Sequence, residues 1–159
     1  MEKNQPVVLT GLMGLMDPLH WRASTDWVTH NSQPNFQFFS THFGASKVQE
    51  YPEYVAYVTP MFSSDDWLNP RDEKPTSNVF LSIILAGSWT PLHADVFRSY
   101  SYLQLVCMCV LAIWLECTED AGEIIFVPSG WYHQFHNLED TISINHNWFN
   151  AYNLSWVVN

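Results

Sequence analysis

The sequence predicts a mainly β domain with helices flanking it on the N-terminal side, and three observations carry that expectation. Aromatic residues make up 16% of the 159 residues, a bulk that suits pleated, half-buried surfaces and not a disordered chain. Val79 to Leu85 and Glu123 to Val127 are short apolar runs bounded by turn residues, the pattern of buried strands. Thr141 to Trp148 alternates, with Thr141, Ser143, Asn145 and Asn147 on one face and Ile142 and Ile144 on the other. A polar strand face turned inward lines a cavity more often than a packed core. The length fits one domain, 1–159, divided into an N-terminal scaffold (1–77) and a β core (78–159).

Taken in order, Pro6-Val7-Val8-Leu9 reads as a short strand ended by Thr10-Gly11. Ser24, Thr25 and Asp26 offer helix caps, with Trp21 and Trp27 as core anchors. Phe36, Phe39 and Phe43 fall at helical spacing, and Gly44 is a natural stop. His20, His30 and His42 sit at no ligand spacing and read as surface or capping residues. Tyr51 to Met61 is aromatic and Pro-punctuated. The adjacent Asp65 and Asp66 do not face each other, so capping or solvation suits them better than acid–base chemistry. Asn69 to Ser77 reads as an exposed loop, and Ala86-Gly87-Ser88-Trp89 as a turn. The apolar run Leu103 to Leu115 suits a strand or a helix equally, and it is too short for a membrane span. Pro128-Ser129-Gly130-Trp131 is a tight turn.

Charged residues are only 14% of the chain and the net charge is −10. That disfavours phosphate-backbone binding and leaves a basic protein as a suitable partner. Cys107, Cys109 and Cys117 are odd in number and match no common zinc spacing, so inert thiols are the expectation, with a thiolate zinc site as a weaker reading. The N-terminal stretch has no signal-peptide pattern, and the expectation is a soluble intracellular protein without a membrane segment.

The chemistry is expected at Thr90-Pro91-Leu92-His93-Ala94-Asp95. A His and an Asp two apart on an extended segment share a face. With a second His from elsewhere they make the two-His-one-carboxylate set that holds non-haem Fe(II) and leaves three positions open. H-x-D alone is a weak signal. GSWTPLHADVF, GEIIFVPSGWYHQFHN and DTISINHNW together, however, resemble the jumonji-C family of Fe(II)- and 2-oxoglutarate-dependent oxygenases, and within it a group of protein hydroxylases.

The resemblance implies a double-stranded β-helix of the jelly-roll or cupin type, whole or shortened. It implies His93, Asp95 and His133 as iron ligands, with His136 as the competitor of His133. Thr90, Asn145 and Asn147 are the implied contacts for 2-oxoglutarate, the cosubstrate. It also implies a protein substrate, a lysine of a translation release factor, in the cytoplasm or nucleus. The chain departs from the pattern in two respects. The family's Gly-Lys pair, whose lysine holds the far carboxylate of 2-oxoglutarate, would fall near Val110, yet no Lys or Arg follows Arg98. The interval from Asp95 to His133 is also short, which suggests lost strands. An inactive shortened relative acting as a binding module is therefore the alternative function.

Overall fold

The computed structural model describes residues 4–11, 21–31, 33–44, 63, 65–69, 79–105, 109–112 and 116–157. The readings for His20, for Tyr51 to Met61, for most of the Asn69–Ser77 loop and for Cys107 lie outside them. Eight strands and three helices are described: β1 (Val7–Leu9), α1 (Arg22–Asp26), α2 (Phe36–Phe43), β2 (Val79–Ile84), β3 (Tyr100–Leu105), β4 (Cys109–Ala112), β5 (Glu116–Glu119), β6 (Ile124–Val127), β7 (Phe135–His136), β8 (Thr141–Trp148) and α3 (Leu154–Val157). They form an antiparallel five-stranded sheet in the order β1-β6-β3-β8-β2 and an antiparallel three-stranded sheet in the order β5-β4-β7. Beyond β7, residues 87–93 continue the smaller sheet through backbone bonds to 133–137. Two antiparallel sheets, as part of a β-sandwich, agree with the jelly-roll class that the resemblance implies.

The short interval between Asp95 and His133 still holds four strands, β3, β4, β5 and β6. The described residues of Leu103 to Leu115 are strand: the end of β3 and all of β4. Of the four strands, β4 and β5 pair with each other in the smaller sheet, whereas β3 and β6 pair in the larger one.

Alternation decides what each sheet face does. On the outer face of the larger sheet, Tyr100, Tyr102, Ile124, Phe126 and Trp148 pack with Leu9. On the same face Ile142 and Ile144 pack against Trp21, Ala23 and Trp27 from the α1 region, with Val28, Phe38 and Phe39 alongside. The inner face carries Leu103 and Ile125 with Val8, and it meets Cys117 and Phe135 of the smaller sheet. Towards the other end of that inner face stand Ser101, Asn145 and Asn147, aligned by the register Ser101↔Asn147 and Leu103↔Asn145.

Two local expectations need correction. Ser24, Thr25 and Asp26 are inside α1, not at its cap; the Ser24 and Thr25 hydroxyls bond back to the Trp21 and Arg22 carbonyls at 2.7 and 3.1 Å, an option open to short hydroxyl side chains within a helix. The cap that does form is Asn35, whose Oδ1 accepts the Phe38 N–H at 3.0 Å and starts α2. On α2 the packed face is Phe38 and Phe39, whereas Phe36 is 45% exposed. Among the described residues no helix is long and apolar enough to cross a membrane.

Ile144 is fully enclosed, so Ile144→Ala is expected to lower unfolding stability by about 2–5 kcal/mol in urea titration. Phe36→Ala is expected to change it by less than about 0.5 kcal/mol, as surface substitutions do.

Candidate metal centre

The segment carrying His93 and the one carrying His133 are joined by backbone. His93 N–H donates to the His133 carbonyl at 2.9 Å, and His133 N–H returns the bond to His93 at 2.7 Å. Further along, Thr90 N–H bonds the Phe135 carbonyl at 2.9 Å, and Trp89 faces His136. Trp89 to His93 takes four steps where His136 to His133 takes three, so the strand bulges by one residue at Pro91-Leu92. Proline is tolerated at such a place because no ladder bond is required of it. The bulge changes which way the strand faces. Trp89 points outward and stacks on exposed His136, yet His93, four residues on, turns towards buried His133.

The turn at Pro128–Trp131 sets up His133. Gly130 adopts φ +75, and Trp131 N–H closes on the Pro128 carbonyl at 3.2 Å, a geometry that disfavours other side chains at that position. The chain then enters the pairing with His93. Asp95 leaves the strand at φ −61, ψ 158, and Val96–Arg98 form a short turn in which Phe97 and Arg98 both have positive φ. The Ser129 hydroxyl donates to the Arg98 carbonyl, fastening the turn after Asp95 to the turn before His133.

His93, Asp95 and His133 come together, with one donor atom from each lying within 4.8 Å of the other two. His133 Nε2 stands 3.7 Å from Asp95 Oδ2, too far for a hydrogen bond, and the His93 and His133 ring centroids are 4.4 Å apart. Each imidazole places Nδ1 against the carbonyl two residues earlier: His93 on Pro91 at 2.7 Å and His133 on Trp131 at 3.2 Å. The tautomer that donates there keeps the Nε2 lone pair for a metal. Asp95 Oδ2 is buried and accepts no hydrogen bond, an arrangement that is costly unless a cation meets it. Two imidazole nitrogens and one carboxylate oxygen on one side of a small gap fit Fe(II), with positions left for other ligands.

Burial dominates the electrostatics. It pushes the Asp95 carboxyl above its ordinary value, an effect that His133, His93, Ser101 and Asn147 only partly offset. Burial likewise pushes the His133 imidazole below its ordinary value, against the pull of Asp95 and of the Trp131 carbonyl. Without a cation the pair favours its uncharged forms. His133 therefore stays neutral and able to bind metal as pH falls through the usual imidazole range. Where the pH lies below its raised pKa, Asp95 releases a proton on binding, so in the acid range metal affinity rises with pH until Asp95 is ionised.

The remaining expected residues line the same interior. Thr90 Oγ1 accepts the Phe135 N–H at 2.9 Å, which leaves its own proton to donate. Asn145 Oδ1 accepts the Ser101 hydroxyl at 2.6 Å, which leaves the amide N–H groups. Asn147 is buried beside Asp95, and its Oδ1 has no hydrogen-bond partner. His136 is exposed and outside the cluster. Arg98 is exposed, and its Cδ lies 3.8 Å from where a Cβ on Gly130 would stand. For the thiolate reading, Cys107 lies outside the described residues, and Cys109 and Cys117 are diagonal neighbours on β4 and β5. Burial and the neighbouring Glu119 and Glu123 also raise the Cys117 thiol.

Sequence reasoning missed Ser101, whose only signal was its place two residues before Leu103 on a strand facing the alternating β8. It also missed the pairing of Asp66 with His146, which no sequence spacing announces.

A family model described as "JmjC domain, hydroxylase" matches residues 112–148, which include His133. The chain is 37% identical over 256 residues to "Arginine-specific demethylase JMJ20" of Arabidopsis thaliana, a match covering 98% of this chain and 54% of that protein. It is 37% identical over 150 residues to "2-oxoglutarate and iron-dependent oxygenase JMJD4" of Danio rerio (67% of this chain, 35% of that one) and 34% identical over 149 residues to the protein of the same name in Homo sapiens (67% and 36%). The chain thus spans about half or less of the length of these relatives. The match to the Arabidopsis protein extends over more positions than this chain has residues, so a long stretch of that relative has no counterpart here.

In anaerobic Fe(II) titrations, His93→Ala and Asp95→Ala are expected to abolish binding and His136→Ala to leave it intact. Deleting Leu92 removes the bulge and turns His93 outward, so it is expected to abolish binding where Leu92→Ala does not. For the unaltered chain, Mn(II) affinity measured across the acid range is expected to increase with pH and to be accompanied by proton release.

Proposed function

The chain belongs to the JmjC family, and on that premise we propose that it is an Fe(II)- and 2-oxoglutarate-dependent oxygenase whose metal is held by His93, Asp95 and His133. The observation that carries the reading is the cluster itself: a ring nitrogen of His93, Nε2 of His133 and one buried carboxylate oxygen converge from two separate strand ends. When bound, Fe(II) with 2-oxoglutarate and O2 supplies the oxidising power that converts a substrate C–H to C–OH, with succinate and CO2 as the other products.

The protein's part is to hold and to orient. The Pro91 and Trp131 carbonyls fix the two imidazole rings. Ser101 and Asn147 hold the Asp95 side chain in the sandwich. Thr90 and Asn145 have each spent an oxygen on a neighbour, so both present donors, which suits the carboxylates of a dianionic cosubstrate. The substrate is a protein side chain. A lysine in a translation release factor is the first candidate, and the net charge of −10 suits a basic partner. Removal of a methyl group from arginine begins with the same C–H hydroxylation, so the name of the Arabidopsis relative is compatible with this chemistry.

A second reading, a metal-binding module without turnover, is favoured by one specific observation. No Lys or Arg follows Arg98, and among the described residues neither Arg22, paired with Asp26 on α1, nor exposed Arg98 faces the interior. A carboxylate held by neutral donors alone is bound less tightly than one met by a cation.

The oxygenase reading predicts that the Fe(II)-loaded chain converts 2-oxoglutarate to succinate, at a rate that falls to background in Asp95→Ala. Stoichiometric metal uptake with no succinate above that background selects the non-catalytic module instead.

A further inference from the structure

A second polar cluster lies on the outer face of the strand that carries Asn145 and Asn147. Asp66 and His146, 80 residues apart in sequence, meet at 2.7 Å between Oδ2 and Nε2, with 6% and 4% of their side chains exposed. Asp66 Oδ1 accepts the Leu68 and Asn69 N–H groups at 2.9 and 3.1 Å. Asn69 Nδ2 donates to Asp66 Oδ2 at 2.8 Å and to the Asn147 carbonyl at 2.7 Å. Trp67 N–H donates to the Phe149 carbonyl at 2.9 Å. The His146 ring stacks on Tyr102, with centroids 5.2 Å apart. The residues after Asp66 form a bend and not the helix that capping implies; its Oδ1 bonds the following N–H groups there, and its other oxygen does more.

An enclosed carboxylate and imidazole are an expensive way to pack a sheet face, and an apolar pair of similar volume commonly stabilises as well. What the polar set supplies is a defined position for β8. His146 lies between Asn145 and Asn147, and Asn69 holds the Asn147 carbonyl directly. Tyr102, under the His146 ring, is the neighbour of Ser101 on β3. The set therefore grips both strands from outside, level with the two inward side chains, Ser101 and Asn147, that stand against Asp95.

We propose that Asp66, His146 and Asn69 are positioning residues for the metal centre, bracing β8 so that Asn147 meets Asp95 on the opposite face. The inference rests on the metal-site reading above. It deepens that reading by assigning a role to residues on the face of β8 opposite Asn145 and Asn147.

The test is Co(II) binding to the full chain, read by affinity and by the visible absorption that reports ligand geometry. Asp66→Ala and Asn69→Ala are expected to weaken Co(II) binding about tenfold, as loss of an outer hydrogen-bond partner commonly does, and to alter the spectrum. Asp66→Asn keeps the shape and the two backbone acceptor bonds, and is expected to recover part of the affinity. Trp27→Phe, which disturbs the core packed on Ile142 and Ile144, serves as the reference: a lower Tm with affinity and spectrum unchanged. Should Asp66→Ala fail to fold, Asn69→Ala decides alone, because it leaves the Asp66–His146 contact in place. The inference is overturned if Asn69→Ala binds and absorbs like the unaltered chain, or if Trp27→Phe shifts both readouts equally. If the unaltered chain takes up no Co(II), the metal-site reading itself fails and this inference goes with it.

Discussion

One residue pair governs the arrangement: His93 and His133, joined to each other by two backbone hydrogen bonds at 2.9 and 2.7 Å. A mutually bonded antiparallel pair holds its Cα atoms about 5.5 Å apart. The two side chains leave on the same side and need no loop to find each other. Everything else refines that pair. The Pro91-Leu92 bulge turns His93 inward, and the glycine turn at 128–131 delivers His133 to its place. The Ser129 hydroxyl ties the two turns together, and the Asp95 carboxylate enters from the first residue past the strand.

Much of this was legible in the sequence, for physical reasons that can be named. β6 and β8 were readable because period-two alternation and continuous burial leave a direct trace in residue type. The Pro-Ser-Gly-Trp turn was readable because positive φ selects glycine. His133 was preferred to His136 only by its place in the resemblance; strand alternation set the two on opposite faces without saying which faced inward, and the structure shows His133 buried and His136 exposed. The bulge was not read, although a proline within a strand was its signal. The Asp66–His146 contact could not be read at all, because it depends on how a loop folds over a sheet 80 residues away. The short spacing from Asp95 to His133 could not say how many strands the interval holds; four short ones fit into it.

The interior combines a strong metal-binding set with a weak anion-binding one. Buried Asp95 Oδ2 without a hydrogen bond, beside two rings whose Nδ1 atoms are already engaged, is organised for a cation. The neighbouring donors from Thr90, Asn145 and Asn147 are neutral. Among the described residues, a dianion there would be held by hydrogen bonds and by the metal, with no side-chain cation facing it. That balance makes metal retention the robust property of the fold and cosubstrate affinity the sensitive one.

X-ray absorption at the iron edge of the anaerobic Fe(II)-loaded protein tests the central claim most directly. The account predicts a shell of light nitrogen and oxygen neighbours carrying the multiple-scattering signature of two imidazoles, one of which disappears in His133→Ala. Sulfur neighbours at about 2.3 Å, the thiolate distance for a similar ion, or a two-imidazole signature that persists in His133→Ala, would contradict it.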